Sequence, residues 1–120
     1  MNRKCLVLSG RSLLAQGVAK LLFLNTNLDV TQVDLELEDP TEAFRRFRPE
    51  VVILDLSEMG MVEGSFWAFL RERPGVTLVC LDPLSSSVLI VRAEPRVLTN
   101  VQDLFAAVEE REVLVKGGRR

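Results

Sequence analysis

The chain has no histidine among its 120 residues, so it cannot build a histidine-based catalytic triad or a histidine-ligated metal centre. It has only two cysteines, Cys5 and Cys80, each inside an apolar, strand-like run. That setting predicts buried free thiols in a reducing cytosol and no disulfide. No apolar run approaches the ~18 residues that a membrane span needs. The N-terminal Met1-Asn2-Arg3-Lys4 is basic, but the apolar run at 5–8 is too short for a signal peptide, and a cytoplasmic location is expected. Charge of one sign is also missing. A net charge of −2 gives no overall attraction to nucleic acid or to an anionic membrane, so neither is an expected partner. There is no P-loop and no Gly-x-Gly-x-x-Gly fingerprint. These absences predict a non-enzymatic chain with no cofactor and no metal.

What is present suits a single soluble domain. Apolar residues make up 48% and charged residues 27%, a balance that argues against disorder. A chain of this length buries roughly two-thirds of its unfolded surface. No internal repeat, linker or second domain is visible, and a domain over 1–111 with a loose tail over 112–120 is expected.

The most informative stretch is Val51-Val52-Ile53-Leu54-Asp55-Leu56, entered from Arg48-Pro49-Glu50. Four branched apolar residues in a row predict a strand buried on both faces of a parallel sheet. Asp55 then falls at the strand's C-terminal end, the edge of an open α/β sheet where ligands bind. Around this strand the pattern alternates. Residues 5–8 predict a first strand, and residues 12–24 a helix with Leu14, Val18, Leu21 and Leu22 on one face. Residues 33–38 alternate Val33, Leu35 and Leu37 with Asp34, Glu36 and Glu38, which predicts a half-buried strand at a sheet edge.

Asp39-Pro40-Thr41-Glu42 is a helix start, with Ala43, Phe44 and Phe47 facing inward and Pro49 ending the helix. Phe66, Phe69 and Leu70 mark a third helix before Pro74-Gly75, and residues 76–81 a fourth strand. The turn chemistry of Asp82-Pro83-Leu84-Ser85-Ser86-Ser87 leaves no room for a crossover helix. The next apolar run, 88–91, is therefore expected antiparallel beside the fourth strand. Arg96 to Leu98 could add a short strand, and Asn100 can cap a final helix with Val101, Leu104, Phe105 and Val108 facing inward. The expected fold is α/β: a three-layer, doubly wound, mostly parallel sheet in the order 2-1-3-4-5.

Laid out this way, the chain resembles the receiver domains of bacterial response regulators, closest to the subgroup that carries helix-turn-helix output domains. The resemblance rests on residues 12–22, on Val52-Ile53-Leu54-Asp55-Leu56 followed by Gly60-Met61 and Gly64, and on residues 99–108. It implies a flavodoxin-like fold, a place in a two-component phosphorelay and Asp55 as phospho-acceptor. In that family an acidic pair after the first strand holds Mg²⁺, because phosphoryl transfer needs its oxygen charge neutralised. Here Ser9-Gly10 stands there, Leu81-Asp82 replaces the serine or threonine of the fourth strand, and Arg92 is the nearest candidate for the fifth-strand lysine. The fourth helix of the family is replaced by a β-hairpin.

The expectation is therefore a degenerate receiver, a signalling module acting through protein contacts without Mg-dependent aspartyl phosphorylation. Two alternatives stand beside it. One is a working receiver phosphorylated on Asp55; the other is a small anion-binding module using the Ser9–Ser12 loop, where helix N–H groups and Arg11 could meet an anion. Site candidates are Asp55 with Ser9, Gly10, Arg11 and Asp82, the last as half of a two-carboxylate cation site. Interface candidates are Trp67, Val88 and Ile90, for a protein partner or a homodimer.

Overall fold

A computed structural model describes residues 2–25, 27–92 and 97–118, with backbone alone for 110–118. The elements run β1 (Arg3–Ser9), α1 (Leu13–Leu22), β2 (Leu28–Asp34), α2 (Pro40–Phe47), β3 (Val51–Asp55), a 3-10 helix (Leu56–Met61), α3 (Glu63–Glu72), β4 (Thr77–Asp82), β5 (Ser87–Arg92) and α4 (Val101–Gly118). The five strands form one sheet in the order β2-β1-β3-β4-β5. The first four are parallel, and β5 returns antiparallel against β4, with Asp82 opposite Ser87 and Thr77 opposite Arg92. This is an α/β architecture compatible with a flavodoxin-like fold, in the strand order expected from the sequence. No helix among the described residues is long and apolar enough to cross a membrane.

Local chemistry explains most of the boundaries. Asp39 caps α2 by accepting from the Thr41 N–H at 3.1 Å, and Pro40 opens the helix with its fixed φ. Arg48 ends it in the left-handed region, at φ 45°, one residue before Pro49. Ser12 caps α1 in the same manner through Ala15. The exception is β2. The acidic alternation at 33–38 predicts a strand there, yet β2 lies at Leu28–Asp34. Residues after Asp34 turn instead: its carboxylate accepts from the Glu36 N–H at 2.9 Å, and its carbonyl accepts from Leu37 and Glu38. An aspartate that can hydrogen-bond two residues ahead offers the chain a turn, and here that local option wins. Leu37 is consequently exposed.

The sheet separates two cores. On one face, α2 and α3 close over Leu6, Leu8, Val52, Leu54, Leu78 and Cys80, with Phe44 stacked on Phe69 at 4.8 Å and tilted against Phe66 at 6.0 Å. A hydroxyl pair, Thr41 to Ser65 at 2.7 Å, ties the two helices together. On the other face α1 sits over Cys5, Val7 and Ile53 through Ala15 and Ala19. Cys5 and Cys80 thus lie on opposite faces, and both are free thiols whose pKa burial pushes up.

Two sequence expectations do not hold at the C-terminal end. Val101, Leu104, Phe105 and Val108 were expected to face inward, but all four are 47–60% exposed, and among the described residues α4 shows no extended packing against a strand or helix. Val97 and Leu98 form no strand, and the remainder of that segment, 93–96, lies outside the described residues. The α4 backbone spans Val101–Gly118.

Candidate functional site

The C-terminal ends of β1 and β3 are adjacent strands' ends, so Ser9 and Asp55 arrive at one edge of the sheet by register alone. Asp55 is the last residue of β3 and only 4% exposed. Its Oδ2 accepts from the Ser12 hydroxyl at 2.7 Å, and its Oδ1 accepts from the Ser57 N–H at 2.9 Å and the Ser57 hydroxyl at 2.8 Å. Burial pushes the Asp55 carboxyl up, but the hydrogen bonds from Ser12 and Ser57 outweigh it and hold the group below its ordinary value. The carboxylate therefore does three local tasks. It caps the 3-10 helix, pins the Ser12 side chain and, through Ser12, fixes the start of α1.

Beside it sits a residue that the sequence reading passed over. Glu58 is 8% exposed, and its carboxylate turns back under the loop between β1 and α1. It accepts from the N–H groups of Gly10 at 3.1 Å, Arg11 at 2.6 Å and Ser12 at 3.2 Å. Three backbone donors converging at a helix start are the chemistry of an anion site. Here the chain's own carboxylate fills it. A Cβ at Gly10 would lie 2.7 Å from Glu58 Oε2 and 3.2 Å from Met61 Sδ, so a larger residue there would have to push the carboxylate off its donors.

A signal for Glu58 was present. Asp55-Leu56-Ser57-Glu58 has the Asp-x-x-Glu spacing of a capping box, in which the glutamate seeks free N–H groups near a helix start. In this fold Glu58 takes the N–H groups of a different helix, which only the parallel β1–β3 pairing brings within reach.

The other expected site residues disperse. The Arg11 side chain points away from the carboxylates and pairs with Glu36 at 3.0 Å on the exposed surface. Ser9 is buried and its hydroxyl accepts from the Gln32 side chain at 3.3 Å. Asp82 stands at the same sheet edge, yet both its oxygens serve the β4–β5 turn, one accepting from the Leu84 N–H and the other from the Ser85 hydroxyl, each at 2.9 Å. Arg92 corrects the family comparison: because β5 runs antiparallel, it pairs with Thr77 at the opposite end of the sheet from Asp55. Trp67 is 50% exposed with its ring tilted against Phe66 at 5.8 Å, and Val88 and Ile90 lie open on the edge strand.

The residues at this edge do not fit a divalent metal. No group of three or more carboxylate, thiol or imidazole ligands occurs among the described residues. Both Asp55 oxygens and both Glu58 oxygens are already engaged by donors, which a cation would have to displace. A cleft of about 420 Å³ opens at the far end of the sheet, between Arg3, Arg48, Glu50 and Arg73. No family model, curated protein or solved structure significantly matches this chain.

Proposed function

We propose that this chain is a receiver-like signalling module that works through protein contacts, with Asp55 as a structural carboxylate and not a phospho-acceptor. The supporting observation is the satisfaction of Asp55. A nucleophilic carboxylate must present an oxygen to an incoming phosphoryl group and hold a metal beside it. Asp55 presents neither oxygen, and Glu58 is turned into the β1–α1 loop where a family member would carry a metal ligand. The strand order and the position of Asp55 at the end of β3 support the receiver-like reading. The antiparallel β5 in place of a fourth helix and a parallel fifth strand sets the chain apart from a working receiver.

The test is incubation with acetyl phosphate and Mg²⁺ followed by intact mass. Unchanged mass is expected. A labile gain of one phosphoryl group on the wild type, absent in Asp55→Asn, would reverse the assignment.

The convergence of three N–H groups keeps one other reading in view, that of an anion-binding loop. Phosphate should leave the wild-type melting temperature unmoved, because Glu58 holds the donors. A phosphate-dependent rise in the wild type would favour the anion-binding module instead.

A further inference from the structure

The net charge of −2 conceals two opposite poles. The segments that leave the parallel strands, 9–12, 34–42, 55–63 and 82–87, hold nine carboxylates and one arginine. The segments that end the helices and enter those strands, 2–4, 20–29, 45–50 and 71–76, hold eight lysines and arginines and three carboxylates. Parallel pairing sets Cys5 beside Val51 and Val51 beside Thr77, so the basic segments gather at the end of the sheet remote from Asp55.

Within that pole lies the cleft of about 420 Å³, lined by Arg3, Arg48, Glu50, Glu72 and Arg73 among others. Its size falls in the range of roughly 300–1,000 Å³ found for ligand pockets. The three arginines come from three separate elements: Arg3 opens β1, Arg48 closes α2 and Arg73 closes α3. Among the described residues none of the three makes an ion pair. Of the two carboxylates, Glu50 is turned to the Lys4 N–H at 2.9 Å.

A basic residue ordinarily complements the carbonyl end of a helix, which accounts for Arg48 and Arg73 singly. It does not account for Arg3, and the half-charge of a helix end is small against a whole guanidinium charge. Arg48 also carries a backbone cost. Its φ of 45° is a conformation that glycine or asparagine usually supplies at the end of a helix, so an arginine is held there against local preference.

Resting on the contact-module reading and naming its contact, we infer that this cleft docks an acidic segment of a partner protein. Guanidinium groups bind carboxylates through paired N–H donors, and three of them offer such pairs around one opening. A nucleic acid fits less well. Glu50 and Glu72 interrupt the positive charge that a phosphate backbone would follow, and among the described residues no aromatic side chain lines the cleft for base stacking. The acidic pole at the other end of the sheet repels any long polyanion.

The experiment titrates the full chain with a short peptide of alternating glutamate and alanine, read by anisotropy of the labelled peptide and by amide chemical shifts. Binding should saturate, and the shifts should centre on residues 3–4, 48–50 and 72–76. It should weaken severalfold as salt shortens the Debye length from about 10 Å at 0.1 M to about 3 Å at 1 M. Arg48→Gly removes the guanidinium and leaves the left-handed backbone unstrained; it should weaken binding about tenfold, as should Arg73→Gln. Arg11→Gln removes the same charge at the opposite pole and should leave binding unchanged.

No saturable binding would overturn the inference, as would binding indifferent to Arg48→Gly and Arg73→Gln, or shifts centred on the Asp55 edge. An equally tight hold on a single-stranded oligonucleotide or on phosphatidylserine vesicles would overturn it too. Failure here leaves the Asp55 assignment standing, and a phosphoryl gain on Asp55 would remove the contact-module reading without altering the peptide result.

Discussion

The two faces of the sheet are built by different means. Under α2 and α3 the contact is made by large side chains, with Phe44, Phe66 and Phe69 filling the space between helices and strands. Under α1 the buried helix residues are Ala15 and Ala19, which bring the helix close but remove little apolar area. What holds α1 in register is polar: Ser12 is tied to Asp55, and the N–H groups at its start are tied to Glu58. One face relies on volume and the other on a hydrogen-bonded latch. A small domain can therefore seat a helix with alanines, provided that its end is anchored to a buried carboxylate.

Mutation can break this contrast, with effects that should descend in a set order. Phe44→Ala empties the centre of the aromatic cluster and should cost about 3–5 kcal/mol in chemical denaturation, the range for buried phenylalanine. Glu58→Ala leaves three backbone donors at the start of α1 without their acceptor and should cost about 2–3 kcal/mol, with hydrogen exchange rising first at residues 10–12. An equal cost for Glu58→Ala and a surface change such as Glu42→Ala would show that the latch carries no weight.

Asp55→Asn should cost about 1–2 kcal/mol at neutral pH, since an amide cannot accept from Ser12 and from Ser57 as the carboxylate does. The sign of its pH dependence follows from the lowered carboxyl. The stabilisation is complete above the unfolded value near ~3.9 and is lost as pH falls through the still lower folded value. The gap between wild type and Asp55→Asn should therefore close in acid; a gap constant down to pH 2 would contradict the ionised, hydrogen-bonded state. Smallest of all, Val88→Ser on the open edge strand should move the stability of the chain by no more than about 0.5 kcal/mol.

Much of this was legible in the sequence, and the remainder failed for identifiable reasons. The apolar run ending at Asp55 announced a central strand, and Asp39-Pro40 marked the start of a helix to the residue. Those signals are local, carried by side-chain type and backbone preference. The antiparallel β5 followed from the shortness of its turn. The misplaced β2 shows alternation imitated by an aspartate turn, while the true strand is blurred by Thr31 and Gln32. Glu58 shows the harder limit. Its spacing was a capping signal, but the donors it takes are 46–48 residues away, and only the assembled sheet identifies them. The α4 stripe was expected to face inward yet its residues are open to solvent, because periodicity reveals an apolar face without saying what covers it.

The reversal of β5 has a mechanical consequence. β5 ends at Arg92 beside the start of β4, so that residue lies at the floor of the sheet while Asp55 and Glu58 occupy its roof. Substitutions at the last residues of β5 can thus be made a full strand length away from the Asp55 and Glu58 latch.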